Sequence, residues 1–130
     1  MVARVAVVTI VALTVGFPEG ATAQERRRGG SVGEREYQGW RQYSVHCARC
    51  HGQDVLGNPV AADLLKTTAP GGSTAEEAAF VQVVREGRPD KGMPPLEKSM
   101  TPEQMSAVYA YVRGRAEGRI PAGRPAGPGG

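Results

Sequence analysis

Five residues constrain this chain more than any others: Cys47-Ala48-Arg49-Cys50-His51, in the spacing C-x-x-C-H. They hold the only two cysteines of the chain, with a histidine directly after the second. Two thiols at this spacing can each form a thioether with one vinyl group of a porphyrin, and the next imidazole is then placed under the ring, where it can bind iron. Other uses of the motif fit less well. A structural zinc site usually takes four Cys or His ligands. The chain offers Cys47, Cys50, His46 and His51 within one or two turns, which is poor tetrahedral geometry. A thioredoxin-like pair expects a βαβ pattern around it, and none is visible. A plain Cys47–Cys50 disulfide stays open for an exported chain.

Export is itself legible. Met1 to Ala23 has the layout of a signal peptide: Arg4 as the positive region, Val5 to Val15 as the apolar run and Ala21-Thr22-Ala23 as the cleavage site. The run is short for a bilayer span, and Pro18-Glu19-Gly20 breaks it. A periplasmic location is therefore expected, with a mature chain that does not span the membrane. Haem is attached to such motifs on the outer side of the bacterial cytoplasmic membrane, so the two signals agree.

The remaining length suits one small domain. Hydrophobic residues make up 40% and aromatics only 5%, a thin core for that size. A buried porphyrin would supply the missing apolar volume, and the apo chain should then fold poorly. The net charge of +3 is mildly basic, and no basic stripe interleaved with aromatics points to nucleic acid.

Residues 24–30, with Arg26-Arg27-Arg28, read as a flexible arm. Ser31-x-x-Glu34 has the form of a capping box, which predicts a first helix from about Val32 to Cys47. Gly52 to Leu65 is expected as a loop, with Asn58-Pro59 as its turn signal. Leu64 and Leu65 are candidate haem-pocket residues. Ser73 to Gly87 reads as a middle helix with a Ser73-x-x-Glu76 capping box and Phe80, Val83 and Val84 as its apolar face. Thr101-Pro102-Glu103-Gln104 opens a last helix, with Met105, Val108, Tyr111 and Val112 on its buried side and Gly114 or Gly118 at its end. Residues 119–130, rich in Gly and Pro, read as a disordered tail without a core.

Between the last two helices lies a second chemical site, Gly92-Met93-Pro94-Pro95. A thioether on a Gly/Pro-rich loop can reach an iron as its distal ligand, although a methionine can equally be core filling. Met105 belongs to an apolar helical series and reads as core; Met100 is the competitor for the ligand role.

The haem motif, Gly92-Met93-Pro94-Pro95, Tyr109-Ala110-Tyr111 and the two flanking helices, in that order, resemble a class I cytochrome c over about residues 31–118. The resemblance implies an all-α fold, a small cytochrome c domain of about three to four helices around one covalent haem c. It implies Cys47 and Cys50 as attachment residues, His51 as proximal and Met93 as distal iron ligand. It implies that Gly39 and Tyr43 on the first helix cross Val108 and Tyr111 on the last. It further suggests that a proline carbonyl accepts the His51 Nδ1–H bond. Pro59 is the only proline available, and making a turn is an equal alternative for it.

With two axial ligands the iron has no open position, so an electron carrier rather than an enzyme is expected. Arg49, Lys66, Arg85, Arg88, Lys91 and Lys98 flank the haem-binding segments and could steer acidic partners. The segments Gly87-Arg88-Pro89, Lys91-Gly92-Met93-Pro94, Tyr109-Ala110-Tyr111-Val112 and Arg119 to Pro125 are also similar to small cytochromes found with quinoprotein alcohol dehydrogenases. A monomeric periplasmic carrier is expected, and this similarity implies its partners. Its donor would be a dehydrogenase carrying pyrroloquinoline quinone (PQQ), and its acceptor a terminal oxidase or another cytochrome. The alternatives are a dedicated subunit of a dehydrogenase complex, or a haem sensor or catalytic haem protein if Met93 is not a ligand.

Overall fold

The computed structural model describes residues 32–129. The export signal, the basic arm and Ser31 of the expected capping box lie outside the described residues. Five helices are described: α1 (Glu34–His46), α2 (Ala48–His51), α3 (Leu64–Thr67), α4 (Glu77–Glu86) and α5 (Pro102–Ala116), with single 3-10 turns at Gln53–Val55 and Pro89–Lys91. The described residues form no strand, and one isolated bridge pairs Arg88 with Met93.

The frame is the crossing of α1 and α5. Gly39 makes it possible: a Cβ there would run into the Ala107 carbonyl and lie 2.9 Å from Tyr111 Cβ. A mid-helix glycine costs stability, and close backbone approach is what it gives in return. Tyr43, four residues on, stacks at a tilt on Tyr111 with ring centroids 5.5 Å apart. Both tyrosines, Val108 and Val112 are essentially inaccessible to solvent.

Each long helix starts where the local chemistry stops it from starting earlier. At α5, Thr101 Oγ1 accepts from Gln104 N at 3.3 Å, Gln104 Oε1 accepts from Thr101 N at 2.8 Å, and Pro102 takes the first turn. This is the expected reciprocal cap. At α1, the bond back to the helix start comes from Glu36, whose carboxylate accepts from Gly33 N at 3.0 Å. The middle helix begins at Glu77 rather than Ser73. Thr74 is committed elsewhere: its N–H and its hydroxyl both donate to the Thr67 carbonyl, at 2.9 and 3.0 Å. That bond pair folds residues 68–76 into a loop, which α5 then holds. Arg113 donates to the Thr68 and Ala75 carbonyls at 2.8 and 3.1 Å, and the Tyr109 hydroxyl donates to Ala75 O at 2.6 Å. Gly118, at φ 71°, follows the end of α5, and the helix runs straight through Gly114.

The segment after α5 differs from the expected coreless tail. Ile120 is 1% exposed and packs onto Gly114, and Pro125 is buried. Arg119 bonds Glu36 at 2.8 Å, the Arg124 guanidinium sits 5.4 Å from the Trp40 ring centre, and Val32 N donates to Ala126 O at 3.2 Å. Gly and Pro are abundant here because the strap turns, while its few anchors are enough to seat it on α1 and α5.

Candidate functional site

The C-x-x-C-H residues form a one-turn helix. His51 N and Cys50 N both donate to Cys47 O, at 2.9 and 3.1 Å, and Gly52 N closes the turn on Ala48 O at 2.9 Å. In such a turn, positions three and four apart share a face. Cys50 and His51 therefore stand on the same side as Cys47, although they are neighbours in sequence. Burial pushes the Cys47 thiol up to about 12. A reactive redox dithiol needs the opposite shift, toward thiolate. Among the described residues no group of three or more His, Cys, Asp or Glu side chains could hold a metal ion, so the four-ligand zinc reading has no site.

The His51 ring is oriented by its loop. Nδ1 lies 2.9 Å from the Ala62 carbonyl. A carbonyl can only accept, so Nδ1 carries the proton and Nε2 keeps its lone pair for a metal. This corrects the expectation for Pro59. The acceptor is three residues further on, and Pro59 does not line the cleft described next. The reason is the path of the loop. Ala61 N turns back onto Asn58 O at 3.1 Å, which leaves Pro59 inside the turn and brings the Ala62 carbonyl round to the ring.

Cys47, Cys50, His51 and Met93 line a single cleft that is partly open to solvent. Its walls are mainly apolar: Val60, Leu64, Phe80, Val83, Val84 and Leu96. Leu64 lines the cleft, whereas Leu65 packs against the core without lining it. His46, Arg88 and Lys91 add polar groups to the lining. Thr67 Oγ1, also in the lining, is buried with no hydrogen-bond partner. A large, flat, mostly apolar group with polar substituents, tethered through two thioethers, fits these residues: apolar walls, two thiols on one face, an imidazole with a free Nε2 and one unsatisfied buried hydroxyl. Haem is such a group.

The two candidate distal methionines are separated by their surroundings. Met93 is partly exposed and lines the cleft; Met100 is 4% exposed within the core cluster, as is Met105 at 2%. Met93 is presented by a closed loop. Arg88 N donates to Met93 O at 2.8 Å and Met93 N to Arg88 O at 3.0 Å, around the Pro89–Lys91 turn. Gly87, at φ 68°, sits so close beneath this loop that a Cβ would lie 2.5 Å from Pro95 N. Leu96 N then donates to Val84 O at 3.1 Å, fastening the loop to α4.

Sequence reasoning missed the Ala62 carbonyl and Thr67, and weighed His46 only as a zinc ligand. A backbone carbonyl leaves no mark in a sequence, and Thr67 acquires its place only through the fold of residues 68–76.

Residues 34–112 match the family described as cytochrome c oxidase, cbb3-type, subunit III. The chain is 31% identical over 94 residues to cytochrome c-555 of Methylococcus capsulatus, covering 71% of this chain and 72% of that protein. It is 31% identical over 78 residues to quinohemoprotein alcohol dehydrogenase ADH-IIG of Pseudomonas putida, covering 60% of this chain. It is 32% identical over 82 residues to the dehydrogenase subunit of the quinone alcohol dehydrogenase of Gluconobacter oxydans, covering 63% of this chain. It spans only 10% of each of those two dehydrogenases. The fold matches that of the c-type cytochrome XoxG from Methylobacterium extorquens AM1, with a TM-score of 0.65 at 24% identity, over 75% of this chain and 60% of that one. No described helix is long and apolar enough to cross a membrane. The chain belongs to the cytochrome c family, electron-transfer proteins that bind haem covalently.

Proposed function

We propose that this chain is a periplasmic, monomeric electron carrier, not an enzyme, that holds one haem c on Cys47 and Cys50, with His51 and Met93 as its two axial ligands. The observation that carries the reading is that one cleft gathers both thiols, an imidazole with its Nδ1 proton already engaged and the partly exposed Met93. Haem c, when bound, supplies a one-electron Fe(II)/Fe(III) couple whose potential is raised by a thioether ligand. The protein does the rest. Phe80, Val83 and Val84 exclude water, the Ala62 carbonyl fixes the His51 tautomer, and the Arg88–Met93 bridge holds the sulfur in place. Keeping both ligands through a change of charge demands little movement, which suits a carrier.

The proposed donor is a periplasmic dehydrogenase of the PQQ-dependent alcohol-oxidising type, and the acceptor a terminal oxidase or another cytochrome. Two quinone-linked alcohol dehydrogenases among the relatives support this donor, since each carries a segment similar to this chain. The same observation favours a second reading, in which the chain is a dedicated subunit of such a dehydrogenase. A free carrier needs a small, wet contact at the cleft mouth that forms and breaks quickly. Arg88 and Lys91 in the lining would steer an acidic partner, and salt would screen them.

Spectra in both redox states after acid–acetone extraction test the site. Haem retained on the protein and a sulfur-to-iron near-infrared band in the ferric form are expected; haem that extracts freely overturns the attachment. Stopped-flow reduction by a purified quinoprotein dehydrogenase tests the partner. Rapid, salt-sensitive reduction is expected, and a rate no better than that of an unrelated cytochrome c overturns the pairing. Co-purification with the dehydrogenase would decide for the subunit reading.

A further inference from the structure

One side chain of α5 serves two segments that no helix packing requires it to serve. In the last turn, Arg115 Nε donates to the Asp54 carbonyl at 2.9 Å and Nη1 donates to the Ile120 carbonyl at 2.7 Å. The two acceptors belong to segments far apart in the sequence.

The first acceptor sits in a strained turn. Asp54 and Val55 stand at φ 55° and φ 61°, consecutive left-handed positions without a glycine, and Val55 is β-branched and fully buried. Such residues persist only where surrounding contacts over-determine them. The turn lies inside the loop that begins at His51 and closes when the His51 ring bonds Ala62 O. Tyr43 already holds the start of that loop, its hydroxyl donating to Gly52 O at 2.7 Å. The second acceptor is the anchor of the C-terminal strap. Ile120 is 1% exposed against Gly114, where an added Cβ would lie 2.5 Å from Ile120 Cδ1, and Ile120 N returns to Gly114 O at 3.1 Å.

We propose that Arg115 is a positioning residue for the haem histidine: its guanidinium latches the C-terminal strap to the left-handed Asp54–Val55 turn and so holds the loop that orients His51. The planar fork suits this task because two of its donors can be aimed at two carbonyls at once, which an ammonium on a flexible stem does poorly. The strap is then a working part of the haem-binding segment, although it lies outside the residues that carry the cofactor. The inference rests on the reading of His51 as the iron ligand.

The test compares wild-type holoprotein with Arg115→Met, Arg115→Lys, and Arg115→Met combined with Asp54→Gly. Amide exchange at Val55 and Leu56 reads the turn, and the hyperfine-shifted ring resonances of His51 in the ferric protein read the ligand. In Arg115→Met, protection at Val55 and Leu56 should fall roughly tenfold to a hundredfold, the scale of one charge-assisted hydrogen bond, while the α1 amides keep theirs and the His51 resonances move. Glycine at 54 relaxes the turn, so in that background the loss should shrink. Should Arg115→Met fail to accumulate, Arg115→Lys reads the same amides, with a smaller loss expected. Unchanged protection and resonances, a uniform loss across α1 and α5, or an equal loss with and without Asp54→Gly would each overturn the latch. If wild type carries no covalent haem, the reading of His51 fails on its own, and the amide comparison still decides whether Arg115 holds the turn.

Discussion

Gly39 on α1 and Ala107 on α5 meet backbone to backbone, so closely that a Cβ on Gly39 would run into the Ala107 carbonyl. This contact sets the distance between the two helices that carry most of the core, and it decides where α1 delivers the haem motif. Alanine at 39 would gain up to about 1 kcal/mol in helix propensity. Against this stands overpacking, typically about 1–3 kcal/mol. A clash with a backbone carbonyl has no rotamer escape, so the helices must separate and the Tyr43–Tyr111 contact opens. Gly39→Ala should lose about 2 kcal/mol net. Urea unfolding of the holoprotein checks it: the midpoint should fall with an unchanged slope.

How much of this could be read beforehand follows the physics of each element. The crossing of Gly39 and Tyr43 with Val108 and Tyr111 was implied by the resemblance alone, whereas the haem motif and the cap at Thr101 and Gln104 are local features. Sequence records those directly. The start of α4 was misplaced because Ser73-x-x-Glu76 satisfies the pattern of a cap, while Thr74 is drawn off to the Thr67 carbonyl by a contact made only in the folded chain. The acceptor for His51 was sought among prolines, yet a carbonyl such as that of Ala62 has no side-chain signature. The tail was misread for a related reason. Its composition is that of a coil, and the burial of Ile120 depends on Gly114, six residues earlier on α5.

The position of Ala62 makes a negative expectation testable. Pro59→Ala keeps the backbone carbonyl and removes only a ring that does not line the cleft. Only the stiffness of the unfolded chain changes, worth about 1 kcal/mol or less. The reduction potential and the His51 ring resonances of the ferric protein should match wild type. A marked shift of either would show that the ring at 59 helps to hold the loop that orients His51.

Glu77 gives the fold a modest acid limit. Its carboxyl is held below the usual carboxylate range, first by the hydrogen bond from Ser106 and then by that from Arg35, which lies 2.6 Å away. A carboxyl depressed in the folded state contributes stability above its unfolded value and loses it as pH falls through the folded one. Stability should therefore be complete at neutral pH and decline on the acid side, below the ordinary carboxylate range. The Arg35 and Glu77 side chains are 53% and 40% exposed, so solvent screening keeps the contribution under about 1 kcal/mol. Thermal unfolding against pH should show a shallower acid limb in Glu77→Gln. An identical limb would assign the acid sensitivity to other carboxylates.

The two methionines near the cleft should respond in opposite ways. Met93 lines the cleft on a loop closed by its own backbone bonds to Arg88; Met100 is 4% exposed in the core, its N–H donating to Leu96 O at 2.9 Å. Met93→Ala removes a thioether from the cleft and little from the core. It should abolish the sulfur-to-iron band and lower the reduction potential, because histidine–methionine ligation is what raises it. Met100→Ala leaves a core cavity and should cost about 2–5 kcal/mol of stability while keeping the band. The near-infrared spectrum and the unfolding midpoint of each variant separate the two effects. A band that survives Met93→Ala and vanishes in Met100→Ala would make the buried methionine the ligand, and the loop around Met93 would then need another purpose.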